Sequence, residues 1–183
     1  QKKVIVCLDV YPGVRMGEIL ALAGMLGADE IINTDILAKS EEALVQTFDD
    51  YMTDDRVFGI MCHKKLEDFF DARALLEAKK ELDEKSEGVY IVAGVGAGLI
   101  SRGDIYVYCD ITRWEIQLRY RAGMPNWHRS NEDAPILTKY KCGFFIEWRL
   151  ADRHKAENFE CFDYVLETEN ENAPKMITGD AFR

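Results

Sequence analysis

Apolar residues along this chain switch between two rhythms. Lys3 to Val10 is a short, nearly continuous apolar run closed by a turn signal, which predicts a buried strand. From Met16 to Leu26 the apolar residues Met16, Ile19, Leu20, Ala23 and Leu26 fall at helical spacing. EIINT, Glu30 to Thr34, predicts a second strand. Ser40 with Glu41 and Glu42 behind it predicts a helix start that carries to Tyr51. Lys64 to Lys85 reads as one long helix with Leu66, Phe69, Phe70, Ala74 and Leu75 on its apolar side. VYIVA (Val89 to Ala93) and DIYVYC (Asp104 to Cys109) read as strands, with the run GVGAG between them. Thr112 to Arg121 reads as helical, and a polar loop with Pro125 and Pro135 follows. Leu137, Tyr140, Phe144, Trp148 and Ala151 mark one more helix, interrupted at Gly143, before a last strand, FDYVLE (Phe162 to Glu167).

Strands that are apolar throughout, each followed by a helix, predict a mostly parallel sheet covered on both faces. The expected architecture is a three-layer α/β/α domain over residues 1–170, with a helical lid around 111–160. Residues 171–183 are expected to be a linker toward a further C-terminal module, so that this chain is a piece of a longer protein.

Bulk composition narrows the partners. With 183 residues the chain is long enough for one domain with a real core. A net charge of −10 and a pI near 4.8 argue against nucleic acid and against an anionic membrane as partner, since both are polyanions. No apolar stretch approaches the roughly 18 residues of a membrane span, and no signal-peptide pattern appears. The five cysteines are odd in number and none form a C-x-x-C pair, which predicts reduced thiols in a cytoplasmic protein.

The turn after the first strand is the first candidate site. Ligands in parallel sheets sit beyond the carboxyl ends of strands, where helix N-termini favour anions. The phosphate-binding pattern G-x-x-x-x-G-K-[ST], laid over DVYPGVRM, puts Asp9 and Val14 at its two glycines, Arg15 at its lysine and Met16 at its hydroxyl. Gly13, Val14 and Arg15 are the residues available to touch a phosphate. Val14 carries a Cβ where close backbone approach is needed, Met16 cannot ligate magnesium, and Arg15 is no equivalent of a lysine. Either the loop has kept the phosphate-cradling shape without the chemistry, or Pro12 and Gly13 serve only a plain turn.

The order of the remaining segments resembles P-loop kinases of the uridine kinase and phosphoribulokinase kind. In that resemblance INTD places Asp35 at the end of the second strand, as the base that activates a substrate hydroxyl. VYIVAGVG takes the place of a strand ending in glycines, and YVYCDITRWEIQLRYR that of a strand running into an arginine-bearing lid with Arg113, Arg119 and Arg121. FDYVLE stands for the last strand. The stretches GVGAGLISRGDIYVYCDITRWEIQLRYR and ILTKYKCGFFIEWRLADRHK also resemble a kinase-like domain that precedes a class I isomerase of the cupin fold in bacterial proteins labelled mannose-6-phosphate isomerase. That resemblance implies an attached isomerase module in carbohydrate metabolism, with the catalytic zinc in that module. The chain itself has only His63, His128 and His154, far apart on different expected elements, so no metal site is assigned to it.

Other residues carry two readings each. Asp35 is a turn or cap residue or the substrate base. Arg113, Arg119 and Arg121 are packing and ion-pair groups or a lid that grips phosphate. GVGAG is a tight strand exit or a backbone approach to ligand. Trp127-His128-Arg129 is a packed loop or a contact surface, and Cys62-His63 lacks the oriented base and oxyanion donor that a catalytic thiolate needs. Two functions follow: a non-catalytic kinase-like module that binds a nucleotide or small phosphorylated ligand, or an atypical kinase using Mg-ATP with Arg15, Asp35 and the arginine lid.

Overall fold

A computed structural model describes residues 2–183. Six strands form one sheet in the order β2-β3-β1-β4-β5-β6. They are β1 (Lys3–Val10), β2 (Glu30–Asn33), β3 (Gly88–Gly94), β4 (Ile105–Asp110), β5 (Tyr164–Glu167) and β6 (Lys175–Thr178). The first five run parallel and β6 returns antiparallel to β5. The expected α/β class with a mostly parallel sheet is therefore what the chain forms. Cys7, Leu8, Asp9 and Val10 are exposed by 0, 2, 0 and 3%. Because successive strand residues point to opposite faces, both faces of β1 are covered.

The helices are α1 (Met16–Met25), α2 (Glu41–Phe48), α3 (Ala72–Glu84), α4 (Ala97–Ile100), α5 (Arg113–Arg121), α6 (Ile136–Cys142), α7 (Trp148–Asn158) and α8 (Gly179–Phe182). Ser40 caps α2 by accepting from Ala43 N–H, and Thr112 caps α5 by accepting from Glu115 N–H. None of the described helices is long and apolar enough to cross a membrane.

Three elements depart from expectation. The helix expected over Lys64 to Lys85 is two pieces: a 3-10 turn, Leu66–Phe69, and then α3. The break falls at Asp71, whose carboxylate accepts from the N–H groups of Arg73 and Ala74 and starts a new helix. The helix expected to be interrupted at Gly143 runs on as a π-turn, Gly143–Glu147, between α6 and α7. A Cβ on Gly143 would lie 3.2 Å from the Trp148 ring, so glycine lets the wider turn close against that indole. Finally, the segment 171–183, expected as a linker, contributes β6 and α8. All four residues of β6 are exposed, so no apolar rhythm announces this strand.

Candidate functional site

At the carboxyl end of β1 the chain makes a tight turn. Tyr11 N–H donates to the carbonyl of Cys109 at 2.9 Å, and Val14 N–H closes onto the carbonyl of Tyr11 at 3.2 Å. The amide of Val14 is thus spent inside the turn. Gly13 has φ +102°, a region that favours glycine, and a Cβ there would come within 2.8 Å of Ile116 on α5. Arg15, which precedes α1, pairs outward with Glu18 at 3.5 Å and Glu171 at 3.8 Å.

Arg119 on α5 closes this turn from above. It is 4% exposed. Its Nη1 donates to the carbonyl of Gly13 at 2.9 Å, its Nη2 to the carbonyls of Thr168 and Glu169 at 2.8 and 3.0 Å, and its Nε to Glu115 at 2.9 Å. All three guanidinium nitrogens are engaged by the chain itself. Arg119 ties together the loop after β1, helix α5 and the loop after β5.

Asp9, at the position of the first glycine of the phosphate pattern, points into the interior and is fully buried. Its carboxylate accepts from Gly96 N–H at 3.0 Å, Gly98 N–H at 3.2 Å and Tyr106 O–H at 2.7 Å, and lies 2.6 Å from His154 Nε2. The GVGAG run therefore serves as a backbone cradle, but for a carboxylate of this chain. A Cβ on Gly98 would meet Asp9 Oδ2 at 2.7 Å. Burial works against a charged His154, yet the adjacent Asp9 carboxylate outweighs it and raises the imidazole above its ordinary pKa.

Asp35 follows β2 and lies beneath the loop 122–135. Its Oδ1 is 3.4 Å from the indole N–H of Trp127 and 3.6 Å from His128 Nε2. Trp127 stacks flat on Phe69, ring centroids 3.7 Å apart and planes inclined by 5°. Ser130 donates to Glu41 through its backbone and its hydroxyl, which ties the loop tip to α2. Beneath the loop, the buried Glu147 accepts from Tyr120 O–H, Asn126 Nδ2 and Trp127 N–H at 2.8, 3.2 and 2.8 Å. Burial pushes its carboxyl up, against the pull of these hydrogen bonds.

The residues singled out in the sequence thus fall into separate places. Gly13, Val14 and Arg119 meet; Asp35 lies under Trp127 with Phe69. Arg113 pairs with Asp152 on α7, which also accepts from Tyr11 O–H at 2.8 Å. Arg121 turns outward, with its Nε on Tyr140 O–H at 2.6 Å and its guanidinium over the Trp114 ring. Glu147 and the pairing of His154 with Asp9 carry no local signature in the sequence. The available signal was Asp9 itself, since a carboxylate inside a buried apolar strand requires a partner.

The whole chain, residues 1–183, matches the family described as Domain of unknown function (DUF8485), and the chain belongs to that family. No curated protein matches it. Among solved structures it is similar to shikimate kinase from Bacteroides thetaiotaomicron, at 17% identity and a TM-score of 0.51, over 93% of this chain and 89% of that one. This likeness shows a P-loop kinase fold.

Proposed function

We propose, on the premise of a P-loop kinase fold in a DUF8485 family member, that this domain is a non-catalytic binding or regulatory module. The observation that carries this reading is Arg119. In a working phosphoryl-transfer site the lid and the loop after β1 are separated by the phosphates they grip, and catalysis rests on positioned cations and magnesium. Here Arg119 bonds Gly13 directly, Ile116 packs on that glycine, and Arg15 faces Glu18 and Glu171. In this reading these contacts take the room that a triphosphate would need between the loop and α5. Trp127 similarly covers Asp35, the would-be base.

The rival reading, an atypical kinase with Arg15, Asp35 and magnesium, requires α5 to lift from the loop. Calorimetry with Mg-ATP and with ADP, paired with a turnover assay on nucleosides, hexoses and shikimate, separates the two. No transfer is expected, and no saturable heat at millimolar Mg-ATP. Transfer that vanishes in Arg15→Ala overturns the non-catalytic reading. The biological setting we propose, regulation beside a sugar-phosphate isomerase, rests on the quoted sequence stretches alone. The reading frame tests it: a histidine-rich cupin after Arg183 supports it, and any other continuation removes it.

A further inference from the structure

Beyond the carboxyl ends of β4 and β5, on the side covered by α7, lies an open cavity of about 500 Å³. It shares Tyr11 with the turn after β1 and Arg113 with α5, but neither Arg119 nor Asp35 lines it. We propose that this cavity is a binding site for a small molecule with a flat apolar body and one acidic group, such as an aryl carboxylate, sulfonate or phosphate.

The size is that of a small-molecule pocket, and the position, past strand ends in a parallel sheet, is where such folds take ligands. Its walls are mainly apolar: Val165 and Ile177 lie on paired strands, with Ile111 and the rings of Tyr11 and Phe182 completing them. This shape suits a ring system rather than a sugar, whose hydroxyls would find few partners.

Charge selects the acidic group. Three carboxylates line the rim, two of them paired with cations and the third hydrogen-bonded to backbone. Asp110 is bound by Lys155 at 2.6 Å. Asp152 takes Arg113, Arg149 and the Tyr11 hydroxyl. Glu167 accepts the N–H of Glu169 at 2.6 Å. Lys155 is spent on Asp110 and on the faces of Tyr108 and Phe182. Lys175 is different: it stands opposite Glu167 in the β5–β6 register but enters no ion pair among the described residues. An ammonium without a partner, beside apolar walls, is the group left to receive an anion.

Fluorescence titration of the full chain with 8-anilinonaphthalene-1-sulfonate, an aryl body carrying one sulfonate, tests this. Saturable one-to-one binding is expected, weakened at least tenfold by Lys175→Glu and at least tenfold by Ile177→Trp, which fills the cavity. Both residues lie on the exposed strand β6, with Ile177 itself 45% exposed, and unchanged circular dichroism and Tm serve as the fold control. The neutral probe N-phenyl-1-naphthylamine is expected to bind wild type and Lys175→Glu equally. Phe58→Asp, in the separate aromatic cavity lined by Phe58, Phe144 and Trp148, is expected to leave sulfonate binding unchanged. The proposal is overturned by no saturable binding, by equal affinity in all variants, or by loss of binding in Phe58→Asp alone.

Discussion

Arg119 Nη1 and the carbonyl oxygen of Gly13, 106 residues apart in sequence, stand 2.9 Å apart in the folded chain. A single side chain thereby joins the loop after β1, helix α5 and the loop after β5.

Arg119→Ala strands three backbone carbonyls and leaves Glu115 without its partner. Since the guanidinium is buried and charged, its removal is expected to cost about 3 kcal/mol. Urea denaturation reads this directly, and a loss below about 0.5 kcal/mol would mean the clamp is not made in solution.

Gly13 offers a steric test of the same contact. An alanine there meets both an unfavourable φ of +102° and the Ile116 side chain at 2.8 Å, for a combined cost of about 3 kcal/mol. In an Ile116→Ala background only the backbone strain remains, so the increment should shrink by about 1 kcal/mol or more. Strictly additive effects would show that α5 does not press on the loop.

The Asp9–His154 pair sets a pH dependence. His154 has a raised pKa in the folded state, so the folded chain holds its proton where the unfolded chain has released it. The pair's contribution is complete below about pH 6.5, the ordinary imidazole value, and is lost as pH rises through the raised one. Wild-type Tm should therefore fall over that window relative to His154→Gln, in which this slope is absent. Parallel curves for the two proteins would refute a charged His154.

Thiol chemistry reports on the core. Cys7, Cys62, Cys109 and Cys142 are buried, whereas Cys161 is exposed. Burial leads the causes that raise the buried thiols above their usual range. One cysteine should react rapidly with an aromatic disulfide reagent in the native state, and all five after denaturation. Rapid reaction of two or more native thiols would contradict the packing described.

Much of the fold was legible because burial writes itself into local pattern. The apolar runs of β1, β3 and β4 and the caps Ser40 and Thr112 are signals within a few residues. What stayed hidden depends on distance or exposure. Asp9 and His154 are 145 positions apart, and no local rhythm links them. The break at Asp71 is masked because the apolar spacing of Leu66, Phe69, Phe70, Ala74 and Leu75 continues across it. Arg113, Arg119 and Arg121 look alike on one helix, yet one is buried beneath two loops, one pairs with Asp152 and one lies on aromatic rings in solvent. A helical pattern does not say what lies under each of its residues. The GVGAG run carries two readings, a tight strand exit or a backbone approach to ligand, and its amides hold a carboxylate supplied by Asp9.

The reversal of β6 has a mechanical consequence. Because that strand runs back against β5, Arg183 comes to rest near Phe162, by the foot of the sheet, where β1 also begins. A pull between Lys3 and Arg183 would load β6 at Thr178, peeling its rungs from β5 singly, while β1 stays gripped between two neighbours. Under traction the molecule should come undone from its outermost strand inward, with the loops at the opposite rim the last to feel the pull.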